Sequence, residues 1–279
     1  MPEFIVTGAG GMLARSWAHR LTTEGIGYEA LSRPDLDITN PAAVAATIGP
    51  STEWVVNCAA WTDVDRAESE FEAANTVNAD GVRVLAERCA AVGAKLVHYS
   101  TDYVFDGQAG SPYQTDHPRA PINAYGRSKA SGEEFIEKAG VGHLLIRSSW
   151  LYAPWGKNFV LTMRDLVRSR PTLRVVDDQR GRPSSCENIA DATLGLIRHG
   201  VLGTFHVCDG GECTWFELAS KIRDVVNPSC VIEPCTTAEF PRPAARPAFS
   251  VLDMSQTESV LGPMADWRDR VEALLTEEG

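Results

Sequence analysis

Apolar and polar positions along this chain switch repeatedly between two periods. Phe4-Ile5-Val6-Thr7 is a short β-prone run that ends in Gly8-Ala9-Gly10-Gly11, and Leu13, Trp17 and Leu21 follow at helical spacing. The same switch recurs along the first half, predicting strands near residues 4–7, 28–31, 54–57, 95–100 and 144–148 and helices over 12–24, 41–47, 66–91 and 124–139. Continuous apolar strands alternating with helices predict a parallel sheet covered on both faces. The expected fold class is therefore α/β, a Rossmann-type doubly wound parallel sheet, with ligands at the carboxyl ends of the strands. Beyond residue 150 the pattern loosens. Helices are predicted near 158–169, 187–198, 214–225 and 266–277, short strands near 173–176, 203–207 and 230–233, and prolines gather at Pro241, Pro243 and Pro247. The loop over residues 106–122, rich in Gly, Pro and polar residues, is expected to form a flap over the site.

The first turn narrows the ligand. Strand, glycine turn, helix is the arrangement in which backbone N–H groups and a helix N-terminus receive a pyrophosphate. Gly8 and Gly11 keep the outer spacing of a G-x-x-G-x-x-A loop rather than the strict G-x-G-x-x-G. Residues 1–150 are read as an NAD(P)-binding Rossmann domain, and residues 151–279 as a smaller C-terminal substrate-binding lobe partly interleaved with the last strands of the sheet.

Composition excludes some partners. With 279 residues, 44% of them hydrophobic, the chain can bury one large core and add a lobe. A net charge of −11 and a pI near 5.0 argue against nucleic acid or an anionic membrane as partner. No apolar run reaches the length of about 18 residues that spans a bilayer. The start Met1-Pro2-Glu3 has neither a basic nor an apolar signal region, so a cytoplasmic protein is expected. Seven scattered cysteines are expected to be reduced. Cys208 and Cys213, then Cys230 and Cys235, could be read as a four-thiolate zinc site, but strand and helix patterns lie between them and small buried thiols are the preferred reading.

The chemistry concentrates on Tyr125-Gly126-Arg127-Ser128-Lys129. Residues four apart share a helix face, so a phenol and an ammonium can address one reacting centre. A tyrosine of ordinary pKa, about 10, is a poor acid–base catalyst near neutrality, and a neighbouring lysine cation is expected to lower that pKa. Upstream, the strand before Ser100-Thr101-Asp102-Tyr103 ends in a hydroxyl that could complete a Thr101, Tyr125, Lys129 set.

Several segments together carry a family resemblance. They are Gly8-x-x-Gly11, Asp37-Ile38-Thr39-Asn40, Asn57-Cys58-Ala59-Ala60-Trp61-Thr62-x-Val64-Asp65, Ser100-Thr101-Asp102-Tyr103-Val104-Phe105-Asp106-Gly107, Tyr125-Gly126-x-x-Lys129-x-x-Gly132-Glu133, Arg147-x-Ser149-Trp150-Leu151-Tyr152, Asn158-Phe159, Asp178-Gln179-x-Gly181-x-Pro183 and Arg246-Pro247-x-x-Ser250. In this order, over nearly the whole chain, they resemble the dTDP-4-dehydrorhamnose reductases, extended short-chain dehydrogenases/reductases. The resemblance implies nicotinamide-dependent reduction of the C4 ketone of a dTDP-linked 4-keto-6-deoxyhexose, in the family case the last step to dTDP-L-rhamnose. It further implies that Tyr125 gives the proton, Lys129 holds the nicotinamide ribose and keeps the phenol acidic, and Thr101 bonds the substrate oxygen or tunes Tyr125. Gly11, Met12 and Leu13 would meet the pyrophosphate; Asp37 and Ile38 the adenine; Ala60, Trp61, Thr62 and Tyr99 the nicotinamide side; Asp102 and Trp150 the sugar. Trp150 also suits a core, and Asp37 could instead cap the following helix.

Two departures bear on cofactor and metal. Leu31-Ser32-Arg33 ends the second strand where a carboxylate often holds the ribose hydroxyls. Ser32 and Arg33 suit a 2′-phosphate, so NADPH is favoured, with Asp35 keeping NADH open. Some relatives join subunits through magnesium using a glutamate of the first helix; that position here is Ser16, and although Glu187 matches another ligand, no bound metal is expected and the chain is read as a monomer or homodimer. Sugar-nucleotide dehydratases usually follow the threonine with Asp-Glu; Asp102-Tyr103 supplies no second acid, so reduction is favoured over elimination. The remaining alternatives are a reductase for a different dTDP-keto-deoxysugar and a non-catalytic nucleotide-binding regulatory subunit.

Overall fold

The computed structural model describes residues 3–276. The elements run β1 (Phe4–Thr7), α1 (Met12–Thr23), β2 (Tyr28–Leu31), α2 (Pro41–Thr47), β3 (Trp54–Asn57), α3 (Phe71–Asn75), α4 (Gly81–Val92), β4 (Lys95–Thr101), α5 (Ala124–Ala139) and β5 (His143–Ser148). The second half continues with β6 (Leu151–Tyr152), α6 (Phe159–Ser169), β7 (Thr172–Val176), β8 (Arg180–Gly181), β9 (Ser184–Ser185), α7 (Cys186–Arg198), β10 (Gly203–His206), β11 (Cys213–Thr214), α8 (Trp215–Val226), β12 (Val231–Cys235), α9 (Ser255–Leu261) and α10 (Trp267–Thr276). Six strands form one parallel sheet in the order β2-β1-β3-β4-β5-β10. The chain leaves β1 towards β2 and then returns to build outward from β3, which places the topological switch point, and so the expected ligand crevice, at the carboxyl ends of β1 and β3.

Both faces of the sheet are covered, as its apolar strands require. Phe4 and Val6 of β1, Val56 of β3, Val97 and Tyr99 of β4 and Ile146 of β5 pack with Trp17 and Leu21 of α1 and Ile189 of α7. The alternate residues Ile5, Val55, Leu96 and Leu145 face the other layer, with Val44 of α2, Leu85 of α4 and Ile136 of α5. A third cluster packs the parallel pair β7–β12 against α6, α8 and α10 through residues such as Leu173, Val167, Ile222 and Leu275. The chain does not divide cleanly at residue 150: α7 covers the sheet beside α1, and β10 pairs with β5. Among the described residues no helix is long and apolar enough to cross a membrane.

The single helix expected over 66–91 is instead broken into a 3-10 turn (Arg66–Glu68), α3, a π-helical turn (Thr76–Asp80) and α4. Glu70 leaves helical geometry at φ −127° and starts a new helix, and the wide turn inserts Asn78 against α5. The segment over 106–122 is not free to act as a flap. Tyr113 at its centre is buried, stacks on Phe105 at 4.4 Å and receives the C-terminal segment through its N–H bond to the Val251 carbonyl at 2.8 Å.

Candidate active site

The glycine turn is built for close approach. Gly8 takes φ +69°, and a Cβ there would lie 2.8 Å from the Ala59 nitrogen, so only glycine lets the β1 turn rest on the turn after β3. Gly11 caps α1 without any side-chain hydrogen bond, and the first turn of α1 carries no acidic residue. The N–H groups of that turn therefore suit a pyrophosphate, and Gly10 faces open space. Met12 and Leu13 stand at this turn. The Met12 carbonyl accepts the Trp155 indole N–H at 3.1 Å, while the Leu13 side chain is buried in the core and leaves its backbone to the turn. Ala9 donates to the Leu31 carbonyl at 3.1 Å, which brings Ser32 and exposed Arg33 beside the loop.

Asp37 does not cap α2. One of its oxygens accepts from Thr39 N–H at 2.9 Å and from the Thr39 hydroxyl at 2.7 Å, bonds that, with Arg33 nearby, hold its pKa below the ordinary value. The cap is Asn40, which accepts from Ala42 and Ala43. Ile38 is buried under Gly81, where a Cβ would strike its side chain at 2.8 Å.

At the far end of β4 the hydroxyl, carboxyl and phenol come together. Thr101 donates to Asp102 at 2.9 Å and accepts from Tyr103 N–H at 3.2 Å. Tyr125 meets Tyr103 edge to face, with ring centroids 6.0 Å apart, and the Thr101 hydroxyl favours its ionised form. This proximity depends on Gly126, since a Cβ there would lie 2.1 Å from the Tyr103 carbonyl oxygen and drive α5 off the strand end. Asn123 caps α5 by accepting from Gly126 N–H at 2.7 Å, and its amide donates to the Ala245 carbonyl at 2.9 Å. Arg246, on the same C-terminal segment, bonds Asp65 at 2.9 Å, and Ser250 lies beside Asp102. The proline-rich segment is thus strapped across the site.

Lys129 turns its nitrogen towards β4. Its ammonium nitrogen donates to the Tyr99 carbonyl at 2.6 Å and lies 3.2 Å from His98 Nε2, below Tyr125 on the buried side of α5. Burial lowers its pKa to about 8, against the pull of Glu133 and Cys58. The expectation that it lowers the phenol pKa is not met: burial pushes Tyr125 well above its ordinary value, the Asp102 charge adds to the rise, and the opposing pull comes from Thr101. Tyr99 contributes its carbonyl here; its hydroxyl is held in the core by Trp17 at 2.7 Å and Thr193 at 3.0 Å.

The remaining candidates line the approach. Ala60 and Thr62 are exposed, and Trp61 packs with Phe71 and Tyr125 around Ala67, Ala74 and Ala124. Trp150 has φ +50°, stacks on Trp215 at 3.6 Å and closes on Gly181, where a Cβ would sit 2.7 Å from the indole and 3.0 Å from the Ser250 hydroxyl. Ser16 is buried and Glu187 exposed, and among the described residues no three His, Cys, Asp or Glu side chains are placed to hold a metal ion.

Sequence reading assigned no role to Asn57, Asn78 or His98. Asn78, on the π-helical turn, accepts from Trp61 N–H at 2.9 Å and donates to the Trp61 carbonyl and the Ser128 hydroxyl, both at 3.0 Å. Asn57 and His98 are fully buried polar residues directly after the apolar pairs Val55-Val56 and Leu96-Val97, and that mismatch was the available signal.

Known proteins resemble this chain in sequence and fold. A family model described as RmlD substrate binding domain matches residues 2–279. A dTDP-4-dehydrorhamnose reductase from Streptomyces griseus is 41% identical over 99% of this chain and 92% of its own. The chain belongs to the dTDP-4-dehydrorhamnose reductase family. A probable dTDP-4,6-dihydroxy-2-methyloxan-3-one 4-ketoreductase from Streptomyces antibioticus is also 41% identical, over 95% of this chain and 92% of its own. Among solved structures, the reductase of Bacillus anthracis in complex with NADP superposes with a TM-score of 0.94 at 37% identity, covering 99% of this chain and 100% of that one. The reductase family member from Clostridium acetobutylicum gives 0.95 at 36% identity, with 99% of both chains covered.

Proposed function

We propose that this protein reduces the C4 ketone of a dTDP-linked 4-keto-6-deoxyhexose with NADPH, most simply dTDP-4-dehydro-L-rhamnose to dTDP-L-rhamnose. The observation that carries the reading is the convergence of Thr101, Asp102 and Tyr125 at the carboxyl end of β4, the same end of the parallel sheet as the glycine turn before α1, whose first turn has no side-chain cap. When bound there, NADPH would supply the hydride for the carbonyl carbon. Tyr125 gives the oxygen its proton, Thr101 holds that oxygen, and Lys129 addresses the cofactor ribose. The first turn of α1, with Gly8, Gly11, Met12 and Leu13, holds the pyrophosphate; Ser32 and Arg33 hold the 2′-phosphate; Asp37 and Ile38 lie by the adenine; Ala60, Trp61, Thr62 and Tyr99 flank the nicotinamide. Asp102 and Trp150 bind the sugar. Residues 1–150 then serve chiefly the cofactor and residues 151–279 the sugar nucleotide, in a monomer or homodimer of the cytoplasm.

Supporting this are the family and the NADP complex of the Bacillus anthracis relative. The equal identity to the Streptomyces antibioticus 4-ketoreductase favours one second reading, a related keto-deoxysugar of a specialised pathway. Purified protein mixed with NADPH and a panel of dTDP-keto sugars, followed by nicotinamide absorbance, tests both. Fastest turnover of dTDP-4-dehydro-L-rhamnose is the expected result; fastest turnover of another sugar supports the second reading, and no oxidation with any of them refutes a reductase.

A further inference from the structure

Trp150 and Trp215 meet in a geometry that neither adopts by its own preference. Among the described residues Trp150 is the one non-glycine residue with positive φ, at +50°, a backbone state that bulky side chains avoid. Its indole lies flat on that of Trp215, with ring centroids 3.6 Å apart and planes 13° from parallel. Free aromatic pairs favour offset or edge-on contact at about 4.5–7 Å. Something outside the pair therefore holds it, and the tethers are on Trp215. That residue opens α8, whose start is locked by the reciprocal bonds of Thr214 and Glu217 and by the Thr214 hydroxyl on Asp177 at 2.6 Å. Its indole N–H points at Gln179 Oε1, 3.2 Å away. An indole nitrogen only donates, so the Gln179 oxygen is assigned; the amide nitrogen then donates to the Thr237 hydroxyl at 2.8 Å, which donates to Asp178 at 2.6 Å. Phe159 of α6 packs on the Trp215 ring at 4.5 Å.

The six-membered ring of Trp150 is turned towards the proposed site. A Cβ on Gly181 would lie 2.7 Å from that ring and 3.0 Å from the Ser250 hydroxyl, and Ser250 stands beside Asp102, to which Thr101 donates at 2.9 Å. Trp150, Gly181, Ser250, Asp102 and Thr101 thus form one continuous wall leading to Tyr125. We infer that Trp215 is a positioning residue: anchored through Gln179, it fixes the plane of the Trp150 indole against which the sugar of the substrate rests. The inference rests on the proposed function for the sugar itself. Without Trp215, the Trp150 backbone is free to leave φ +50° and its ring to turn away from Gly181. An indole wall meets the bound sugar before and during the reaction alike, so its disorder raises KM rather than lowering kcat.

A double-mutant cycle on the full chain tests this. Trp215→Leu should raise KM for the dTDP-keto sugar that the protein reduces fastest by about three- to tenfold, keep kcat within about twofold and leave NADPH affinity unchanged. Trp215→Phe keeps a flat ring and should recover most of the loss. In a Trp150→Leu background, Trp215→Leu should cost little more, because its effect passes through Trp150. Circular dichroism reads the stack without turnover, since two indoles in face-to-face contact give an exciton couplet that Trp150→Leu and Trp215→Leu should each abolish. Of the seven tryptophans only these two stack on each other among the described residues, so the signal is theirs. A wild type without the couplet, or a couplet unchanged in Trp150→Leu, overturns the inference even if no Trp215 variant folds. So does a Trp215→Leu penalty that persists undiminished in the Trp150→Leu background, or a loss confined to kcat or shared by NADPH. The two readings fail separately. An active reductase with additive penalties refutes the positioning role alone, whereas a protein that shows the expected couplet but neither binds nor reduces any dTDP-keto sugar refutes the reductase, and the sugar contact with it.

Discussion

The Thr101 hydroxyl donates to one carboxylate oxygen of Asp102 at 2.9 Å, and the other oxygen, equally buried, has no hydrogen-bond partner among the described residues. Ser250 stands near enough to favour the charge but gives its hydroxyl to the Arg180 carbonyl at 3.5 Å. A buried carboxylate left half-bonded costs stability, a pattern usual at sites shaped for something other than the fold.

Asp102→Asn follows from that cost. Burial raises the Asp102 pKa from 3.8 to about 6, with Ser250 and Thr101 pulling the other way. As pH rises from about 4 to about 6 the unfolded chain releases this proton while the folded chain keeps it, so the wild-type contribution becomes unfavourable through that window and stays so above it. The stability of the variant relative to wild type should therefore increase between pH 4 and pH 7, by up to about 3 kcal/mol. Turnover of the keto sugar should fall. Urea unfolding across that range checks the first part; a difference independent of pH would show that Asp102 ionises normally.

Tyr125→Phe keeps the ring against Tyr103 and Trp61 and removes the proton donor. Turnover should fall by about two to four orders of magnitude, with NADPH binding, read by fluorescence, little changed. Near-normal turnover would take Tyr125 out of the chemistry.

How much of this was readable beforehand depended on range. The sheet, its strand order class and the glycine turn follow from local periodicity, and the Thr101–Tyr125 meeting follows from motif order. What local pattern could not give was depth. Lys129 shares a helix with Tyr125, as its spacing of four requires, but α5 is sunk so far into the molecule that the ammonium reaches the Tyr99 carbonyl and His98 instead of the phenol. The break near Glu70 and the wide turn carrying Asn78 were hidden for a similar reason: residues 66–91 have a helical composition, and the departure from it is set by packing on Trp61 and Ser128. The strap over the site unites Asp65 with Arg246, far apart in sequence and unpaired by any local rule.

Arg33→Ala tests the cofactor assignment. Arg33 is exposed beside the glycine turn and near Asp37, whose charge it favours. The 2′-phosphate distinguishes NADPH from NADH, and a guanidinium suits it through paired donors. The variant should lose about tenfold in NADPH affinity while NADH affinity changes little. Titrating both cofactors against both proteins decides it, since equal losses would leave Arg33 a solvated surface charge.

Glu133→Gln probes how α5 is held. Glu133 is fully buried and accepts two bonds from Arg147, at 2.7 and 3.0 Å, and a third from Arg119 at 3.2 Å. Burial alone would raise its pKa; the Arg147 bonds and charge, with Ser100 and Arg119, reverse this and leave it below the ordinary value. Stability from this group is therefore present above its unfolded pKa of about 4.5 and lost as pH falls through the lower folded value. The amide cannot match a carboxylate between two guanidinium groups, and leaves Arg147 buried without its counter-charge. The expected loss is about 3–5 kcal/mol at neutral pH, shrinking as wild type is acidified below about pH 4. Because Lys129 sits one turn before Glu133 on the same helix, turnover should fall with stability. Denaturant melts of both proteins between pH 3 and pH 7 check the claim, and a loss below about 1 kcal/mol at neutral pH would mean that the pair adds little beyond its own desolvation.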